Sequence, residues 1–338
     1  MSTQSGSGSD GAVGWGILAT GGIARAFAQD LALHGHRIEA VGSRSADSAA
    51  SFAGGLGIPR SYGSYEELVA DPAVDVVYVA TPHNFHAANA LLALEAGKHV
   101  LVEKAFTLNA SQARDVVDVA ADRGLLVMEA MWTRFLPHMR AVRTWIADGR
   151  IGEIRSVHAD HTQSLPRDDA HRLNNPALAG GALLDLGVYP ISFAHDLLGP
   201  VEHVSAEATF KATGVDASVG TILRHRGGTM STSYSASETR GPNRATVLGT
   251  EGRLELDATW YAPARITLHD ADGEIVEIFD EPVTGRGMQF QAAEVERLLA
   301  AGLTVSPLMT PDASVEVMAT MDTVRERIGL RYPEEQAG

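Results

Sequence analysis

The stretch from Val13 to Asp30, VGWGILATGGIARAFAQD, constrains this chain more than any other. A short apolar run, Val13 to Leu18, has strand length. A tight turn of small residues comes next, Ala19-Thr20-Gly21-Gly22. Then Ile23, Phe27 and Leu31 recur at four-residue spacing, the period of one helix face. Strand, small-residue turn and helix in that order form a dinucleotide-binding fingerprint. The backbone must approach a pyrophosphate closely, and free N–H groups at the helix N-terminus then meet its charge. Read as G-x-G-x-x-G/A, the match is Ala19-x-Gly21-x-x-Ala24, with an alanine at the first glycine position. An ordinary strand–helix turn would look the same on this stretch alone, so the rest of the chain decides. The candidate phosphate contacts are Ala19, Thr20, Gly21, Gly22 and Ile23.

Beyond Leu31 the alternation of strand and helix repeats. A second strand, Arg37 to Gly42, ends in Ser43-Arg44-Ser45. An NAD site places an acid here to hold the ribose 2′-hydroxyl. A carboxylate would repel a 2′-phosphate, whereas hydroxyl and guanidinium groups bind it. Ser43 and Arg44 therefore point to NADP, with NAD as the alternative if Arg44 only stacks on the adenine. Ser64-x-x-Glu67 has capping-box spacing and starts a short helix. Val74 to Ala80 is a continuous apolar run, as in a strand buried on both faces of a parallel sheet. It delivers Thr81-Pro82-His83-Asn84-Phe85-His86 to the carboxyl edge, where ligands bind in open α/β sheets. A helix is expected from Asn84 to Ala96 and a strand from His99 to Val102, which delivers Glu103-Lys104-Ala105. A helix from Ser111 to Arg123 and a strand from Leu125 to Met128 complete a doubly wound parallel sheet. Thr81, Pro82, His86, Glu103 and Lys104 join the cofactor-binding candidates.

Composition bounds the function classes. A length of 338 residues suits two domains. The chain has no cysteine, which removes disulfides, thiolate nucleophiles and iron–sulfur clusters. A formal net charge of −15 argues against nucleic acid or an anionic membrane as partner. No uninterrupted apolar run approaches the ~20 residues of a membrane span. Residues 1–12 are Ser/Gly-rich and read as a disordered tail without a leader signature, so the cytoplasm is expected.

The second half reads as α+β. Helices are expected at 136–148, 183–198, 289–301 and 310–328, the last with Thr310 as cap and Pro311 at the first position. Strands are expected at 153–161, 203–212, in a hairpin over 219–236 turning at Gly227-Gly228, and at 247–248, 253–256, 266–268 and 274–278. Tight turns between them imply antiparallel pairing. In 203–212, Val204, Ala206, Ala208, Phe210 and Ala212 share one face, and Ser205, Glu207, Thr209 and Lys211 the other.

Five co-ordered segments now carry a resemblance: GILATGGIA (16–24), TPHNFH (81–86), AGKHVLVEKAF (96–106), MEAMWTRF (128–135) and GGALLDLGVYP (180–190). Together they resemble the glucose–fructose oxidoreductase/inositol dehydrogenase/MocA family, nearest its dihydrodiol dehydrogenase and anhydrofructose reductase-like branch. The resemblance covers nearly the whole chain. It implies an α/β architecture with an N-terminal Rossmann domain (13–132). A C-terminal substrate-binding and dimerisation domain (133–338) with an open, mostly antiparallel sheet would complete it. It implies NADP, a small-molecule substrate, redox chemistry at a hydroxyl or carbonyl carbon, and a homodimer or higher homo-oligomer through the C-terminal sheet. One departure stands out: the family usually reads Glu-Lys-Pro with a cis bond before the proline, and here the third residue is Ala105. A cis bond costs ~3 kcal/mol before other residues against about 1 before proline. Either Lys104-Ala105 is trans with Lys104 re-aimed, or the cis bond persists.

Several side chains are candidates for the chemistry itself. His158 and His161 lie three apart in a strand, on opposite faces, and cannot chelate. His83 and His86 enter a helix from a loop, and no metal is expected. Trp132 and Phe135 are either core or substrate contacts, the branch resemblance placing aromatics near substrate. Arg172 is either a surface loop residue or a substrate contact. Asp185 and Tyr189 are four apart, on one face of the expected 183–198 helix, among Leu183, Leu184 and Val188. Hydride transfer to a carbonyl leaves an alkoxide needing a proton. An ammonium, Lys104, would lower a tyrosine's pKa from its usual value near 10. Lys104, Tyr189 and Asp185 are thus the candidate catalytic set, and the resembling branch uses a tyrosine at this place as its acid–base residue. The reading is an NADP-dependent oxidoreductase acting on a sugar, cyclic polyol or dihydrodiol. The alternatives are redox-assisted glycoside processing with tightly held NAD, and a non-catalytic NADPH sensor.

Overall fold

Six parallel strands form the first sheet of this computed structural model, which describes residues 13–335; the tail expected over 1–12 lies outside the described residues. The strands are β1 (Gly14–Leu18), β2 (Arg37–Gly42), β3 (Arg60–Tyr62), β4 (Val76–Val79), β5 (His99–Glu103) and β6 (Val127–Ala130), in spatial order β3-β2-β1-β4-β5-β6. Helices α1 (Gly22–Leu33), α2 (Ala46–Leu56), α3 (Tyr65–Ala70), α4 (His86–Glu95) and α5 (Ala110–Asp122) connect them. Every residue of β1 and β4 is buried, the signature of a sheet covered on both faces. Strand order reverses between β1 and β4, and the crevice outside their carboxyl ends is where such a sheet takes a ligand.

Three expectations shift. Residues 46–63 carry no clear pattern in sequence, yet α2 and β3 stand there. Helix α2 is signalled by its cap, the Ser45 hydroxyl accepting from Ser48 N at 3.3 Å, but its buried face is largely small: Ala49, Phe52 and Ala53. Strand β6 lies two residues later than expected because Leu125 N still donates to Ala120 O, closing α5. Residues 83–85 form a 3₁₀ turn before α4.

Helix α6 (Pro137–Ala147) leads into the second sheet. Its strands are β7 (Ile154–Thr162), β8 (Val201–Phe210), β9 (Asp216–His225), β10 (Met230–Ala236), β11 (Ala245–Gly249), β12 (Gly252–Leu256), β13 (Ile266–Asp270) and β14 (Ile275–Phe279). The order is β14-β13-β12-β11-β7-β10-β9-β8. Only the β7–β10 pair is parallel. Helix α7 (Val188–Leu198) and helix α9 (Pro311–Ile328) pack in the same half, while α8 (Gln289–Ala300) reaches back to α1. Ser205, Glu207 and Thr209 of β8 are exposed, as their alternation suggests. Lys211 departs from that set: it lies just past the strand, and its ammonium donates to Asn174 Oδ1 at 2.6 Å. Phe210, expected on the covered face, is 46 % exposed at the end of β8.

Pro176–Leu198 is long and apolar enough to cross a membrane, but most of it is buried inside the protein. It is not one α-helix. Leu183–Gly187 forms a π-helical turn, and α7 starts only at Val188. The glycine pair ahead of it is demanded by packing. Gly181 has φ +121°, and a Cβ there would stand 2.0 Å from Asp216 Oδ1. Asp216 is buried, and its other oxygen accepts from Leu183 N at 2.6 Å, which starts the π turn. Gly181→Ala is therefore expected to cost more than ~3 kcal/mol of stability, read from denaturant unfolding with Gly54→Ala, whose Cβ meets open space, as control.

Burial also sets the acid limit of the fold. It pushes His83, His161 and His195 down to about 3, and His86 and His138 to about 4. The folded values are depressed, so below about pH 6.5 the unfolded chain binds protons that the folded chain refuses. Stability is then lost as pH falls from about 6.5 towards 4. Asp216 and Glu129, raised by burial to about 6 and about 7, and Glu103, raised in the same direction, oppose this, but three carboxyls stand against these five imidazoles and against His99 and His225, which burial also lowers. Thermal melts should show Tm falling steadily below pH 6.5, and His195→Gln should flatten that fall. A Tm constant down to pH 4.5 would refute the assignment.

Candidate active site

A cleft of about 710 Å³ opens between the two sheets at the carboxyl edge of the first. Its floor is the turn after β1. Ala19, at the first glycine position of the motif, has φ +94° and donates its N–H to Gly42 O at 2.9 Å. A Cβ added to Gly21 or Gly22 would meet no atom within 4 Å. Packing inside the protein thus does not require these glycines; without Cβ atoms they leave the space above the turn open. Helix α1 starts there without a side-chain cap and without an acid in its first turn. By contrast, Ser45, Ser64 and Asn109 cap α2, α3 and α5. The uncapped amides and bare turn are the fit a pyrophosphate needs.

At the end of β2, Ser43 Oγ accepts from Ser45 N at 3.3 Å, and Arg44 is exposed at the cleft beside Tyr65. Burial raises the Tyr65 phenol and the Arg44 charge pulls it down, which places the two side chains together. Thr81, Pro82, Glu103 and Lys104 line the same cleft. His86 is buried at its base, with Nδ1 at 2.8 Å from Ala105 O and Nε2 at 2.8 Å from Thr81 O. Its ring braces the loops after β4 and β5, leaving no nitrogen for a ligand. The Lys104-Ala105 peptide, left open by the sequence, is cis. Glu103 is hydrogen-bonded to the buried Tyr78 hydroxyl.

Across the cleft, the π turn and α7 bring their side chains to Lys104. Its ammonium donates to Asp185 O at 2.8 Å and lies 3.6 Å from Asp185 Oδ1. It also stands 5.0 Å from the centre of the Tyr189 ring. Arg172 Nη2 donates to Asp185 Oδ1 at 3.3 Å, and His83 Nε2 lies 3.9 Å from the same oxygen. Burial pushes the Asp185 carboxyl up, but Lys104 and Arg172 outweigh it and hold it well below the usual carboxylate range. Burial pulls Lys104 down, and Asp185, Tyr189 and Glu103 more than offset that, so the ammonium persists. Trp132 Nε1 donates to the Tyr189 hydroxyl at 2.9 Å. Here one expectation is corrected. Lys104 does pull the Tyr189 phenol down, but burial pushes harder in the other direction, so the group stands above the ordinary tyrosine value and stays neutral.

The structure thus brings Lys104, Asp185, Tyr189, Trp132 and Arg172 together. It does not bring Phe135, which is buried away from the cleft, beside a separate hollow with Pro137 and Arg140 between α6 and α8. Arg172 is a cleft residue, not a free surface arginine. The cleft also holds three residues that sequence reasoning misses: His161, Tyr261 and Arg286. His161 stacks on Tyr261 at 3.7 Å between ring centres and meets the Tyr189 ring edge-on at 4.7 Å. His158 and His161 do point to opposite faces, since His158 turns away to Thr232. Strand alternation removes His161 as a chelator but says nothing of what its own face meets. Tyr261 and Arg286 sit in loops that carry no local signal.

Comparison with known proteins gives a family. The NAD-binding Rossmann domain of the GFO/IDH/MocA oxidoreductase family matches residues 13–131, and the GFO/IDH/MocA C-terminal domain matches 139–255. D-xylose 1-dehydrogenase (NADP(+)) of Hypocrea jecorina is 38 % identical, covering 95 % of this chain and 93 % of that protein. Trans-1,2-dihydrobenzene-1,2-diol dehydrogenase of Bos taurus is 36 % identical, covering 96 % and 99 %. Among solved structures, a 3-ketoreductase from Actinomadura kijaniata in complex with NADP and TDP-benzene aligns with a TM-score of 0.83 at 29 % identity, covering 94 % of this chain and 98 % of that one. With both halves matched in order and the cleft lying between them, the chain belongs to the GFO/IDH/MocA family of NAD(P)-dependent oxidoreductases, on its dihydrodiol dehydrogenase-like branch.

Proposed function

We propose that this enzyme moves a hydride between NADP and a hydroxyl or carbonyl carbon of a sugar, cyclic polyol or dihydrodiol. The observation that carries the reading is the Lys104–Asp185–Tyr189 cluster, which faces the bare phosphate turn across one cleft. The fit to a dinucleotide rests on the uncapped α1 and on Gly21 and Gly22. The two relatives named above are a sugar dehydrogenase and a dihydrodiol dehydrogenase, which supports the substrate range.

Bound NADP supplies or accepts the hydride. The chain supplies the proton. In reduction, the neutral Tyr189 hydroxyl gives its proton to the substrate oxygen as charge develops there. The phenolate left behind is stabilised by the Lys104 ammonium and the Trp132 N–H, both already in place. In oxidation the same groups run in reverse. Asp185 holds the ammonium with its carbonyl and carboxylate, and Arg172 keeps that carboxylate charged. Ser43 and Arg44, with no acid after β2, favour the 2′-phosphate of NADP. The exposed β-sheet face bearing Ser205, Glu207 and Thr209 also carries Ile222 and Tyr234, 52 % and 47 % exposed, and is the proposed dimer face.

Tyr189→Phe is expected to lower kcat by about 10² to 10⁴, with NADP affinity by fluorescence titration near wild type; wild-type turnover would make Tyr189 structural. Arg44→Asp should weaken NADP binding about 10- to 100-fold and NAD binding little, since a charge-assisted contact becomes a repulsion. Equal wild-type affinities for the two cofactors would sink the NADP assignment. Light scattering at micromolar concentration should give a mass above that of one chain, and a monomer would rule out the dimer face.

A further inference from the structure

The cleft holds a cation that the hydride chemistry leaves unused. Arg286 sits in Thr284-Gly285-Arg286-Gly287-Met288, on the connection between β14 and α8, and its side chain reaches the cleft. This segment is fastened from the first half of the chain. Asp30 of α1, 4 % exposed, accepts from Arg286 N at 3.0 Å to each oxygen and from Met288 N at 2.9 Å. The flanking glycines are required by that docking. Gly285 has φ +77° and a Cβ there would lie 2.6 Å from Asp30 Oδ1; Gly287 has φ +94° and its Cβ would lie 2.4 Å from Leu136 Cδ2. Backbone and neighbours are pinned, so the loop presents one side chain, the guanidinium.

That guanidinium stands 6.0 Å from the centre of the Trp132 ring, whose N–H is bonded to the Tyr189 hydroxyl. Among the described residues it enters no ion pair. Arg172 lines the same cleft, at Asp185. Two guanidiniums, Arg172 and Arg286, therefore line a cleft in which Lys104 sits beside Asp185 and Glu103. The surrounding chain carries a formal charge of −15, so this local excess of positive charge is built against the background. In the reading above Arg44 meets the 2′-phosphate and the bare turn of α1 meets the pyrophosphate, so neither phosphate is assigned to Arg286 beside Trp132.

Resting on the hydride-transfer reading, we infer that the substrate is an anionic sugar, bearing a carboxylate or a phosphate ester, whose charge is held by Arg286 while its reacting carbon faces Tyr189. A guanidinium fork matches either group with two parallel hydrogen bonds. A neutral sugar leaves it only water and the Trp132 face. Arg286 is then the specificity-determining residue of the site.

The test measures NADP-linked rates for a neutral aldose, its uronate and its phosphate ester in parallel. The expected result is kcat/KM at least about 10-fold higher for one anionic form than for the neutral parent, falling as salt is added. The preferred arm tells carboxylate from phosphate. Arg286→Met should lower the anionic-to-neutral ratio of kcat/KM about 10- to 100-fold, mainly through KM, and Arg286→Lys should restore part of it. A preference for the neutral sugar, or an unchanged ratio in an Arg286→Met enzyme that still binds NADP, would overturn the proposal and leave hydride transfer standing. No turnover with any sugar or diol would overturn both.

Discussion

The contact between Lys104 and Asp185 ties the two halves of the molecule into one site. Lys104 stands just past the last residue of the buried strand β5, and Asp185 sits in a π turn of the second half. Both side chains are almost fully shielded, so neither charge could stand alone: removing one partner of a buried pair typically costs about 3–5 kcal/mol because the other charge stays behind unpaired. The pair is favourable here because the geometry is crowded with partners. Lys104 has the Asp185 carbonyl as well as its carboxylate, and Asp185 also has Arg172. In the proposed proton transfer, the ammonium kept charged by this arrangement faces the Tyr189 ring, 5.0 Å from its centre.

Positioning of Tyr189 depends on a second, independent network. The 3₁₀ turn Trp132–Phe135 leaves the first sheet and lies against α7. Trp132 bonds to Tyr189, and Arg134 donates to Ser192 Oγ at 2.9 Å and Ser192 O at 2.8 Å. Asp196 then accepts from Arg143 at 2.7 Å and lies 3.8 Å from Arg134. One α7 face is thus read by one short segment, which fixes its rotation. Arg134 is buried, and its charge is tolerated because every direction of its fork is met.

The cleft has two polar ends with different logic. At the phosphate turn, side chains are small or missing and the first amides of α1 stand without a side-chain cap. At the other end, side chains are dense and charged, and aromatic rings of His161, Tyr261 and Tyr189 wall the space. A site of this kind can hold an anionic cofactor and discriminate among substrates with separate sets of groups.

Local patterns carried much of this protein in the sequence itself. The phosphate turn, the buried runs of β1 and β4, the alternating strands and the hairpin at Gly227-Gly228 are set by side-chain periodicity and turn chemistry, which act within a few residues. Lys104 was legible as a residue that a buried strand delivers to the sheet edge, and Asp185 and Tyr189 as polar residues in an apolar segment. The features left undetermined depend on distant partners. Helix α2 has too few large apolar residues to show a period. The π turn at Leu183–Gly187 exists because Asp216, thirty-three residues on from Leu183, takes its N–H. Phe135 and Trp132 are three apart and look alike in sequence, yet only Trp132 reaches the cleft, because the 3₁₀ turn aims them differently. His161, Tyr261 and Arg286 join the site through strand β7 and two loops whose positions are fixed by the second sheet and by Asp30 of the first helix. The sequence determined which elements form and where the cofactor turn lies, since those are short-range consequences of residue type. The tertiary structure alone decided which charges meet and how far each pKa moves, since burial and Coulomb energy depend on neighbours that only folding brings together.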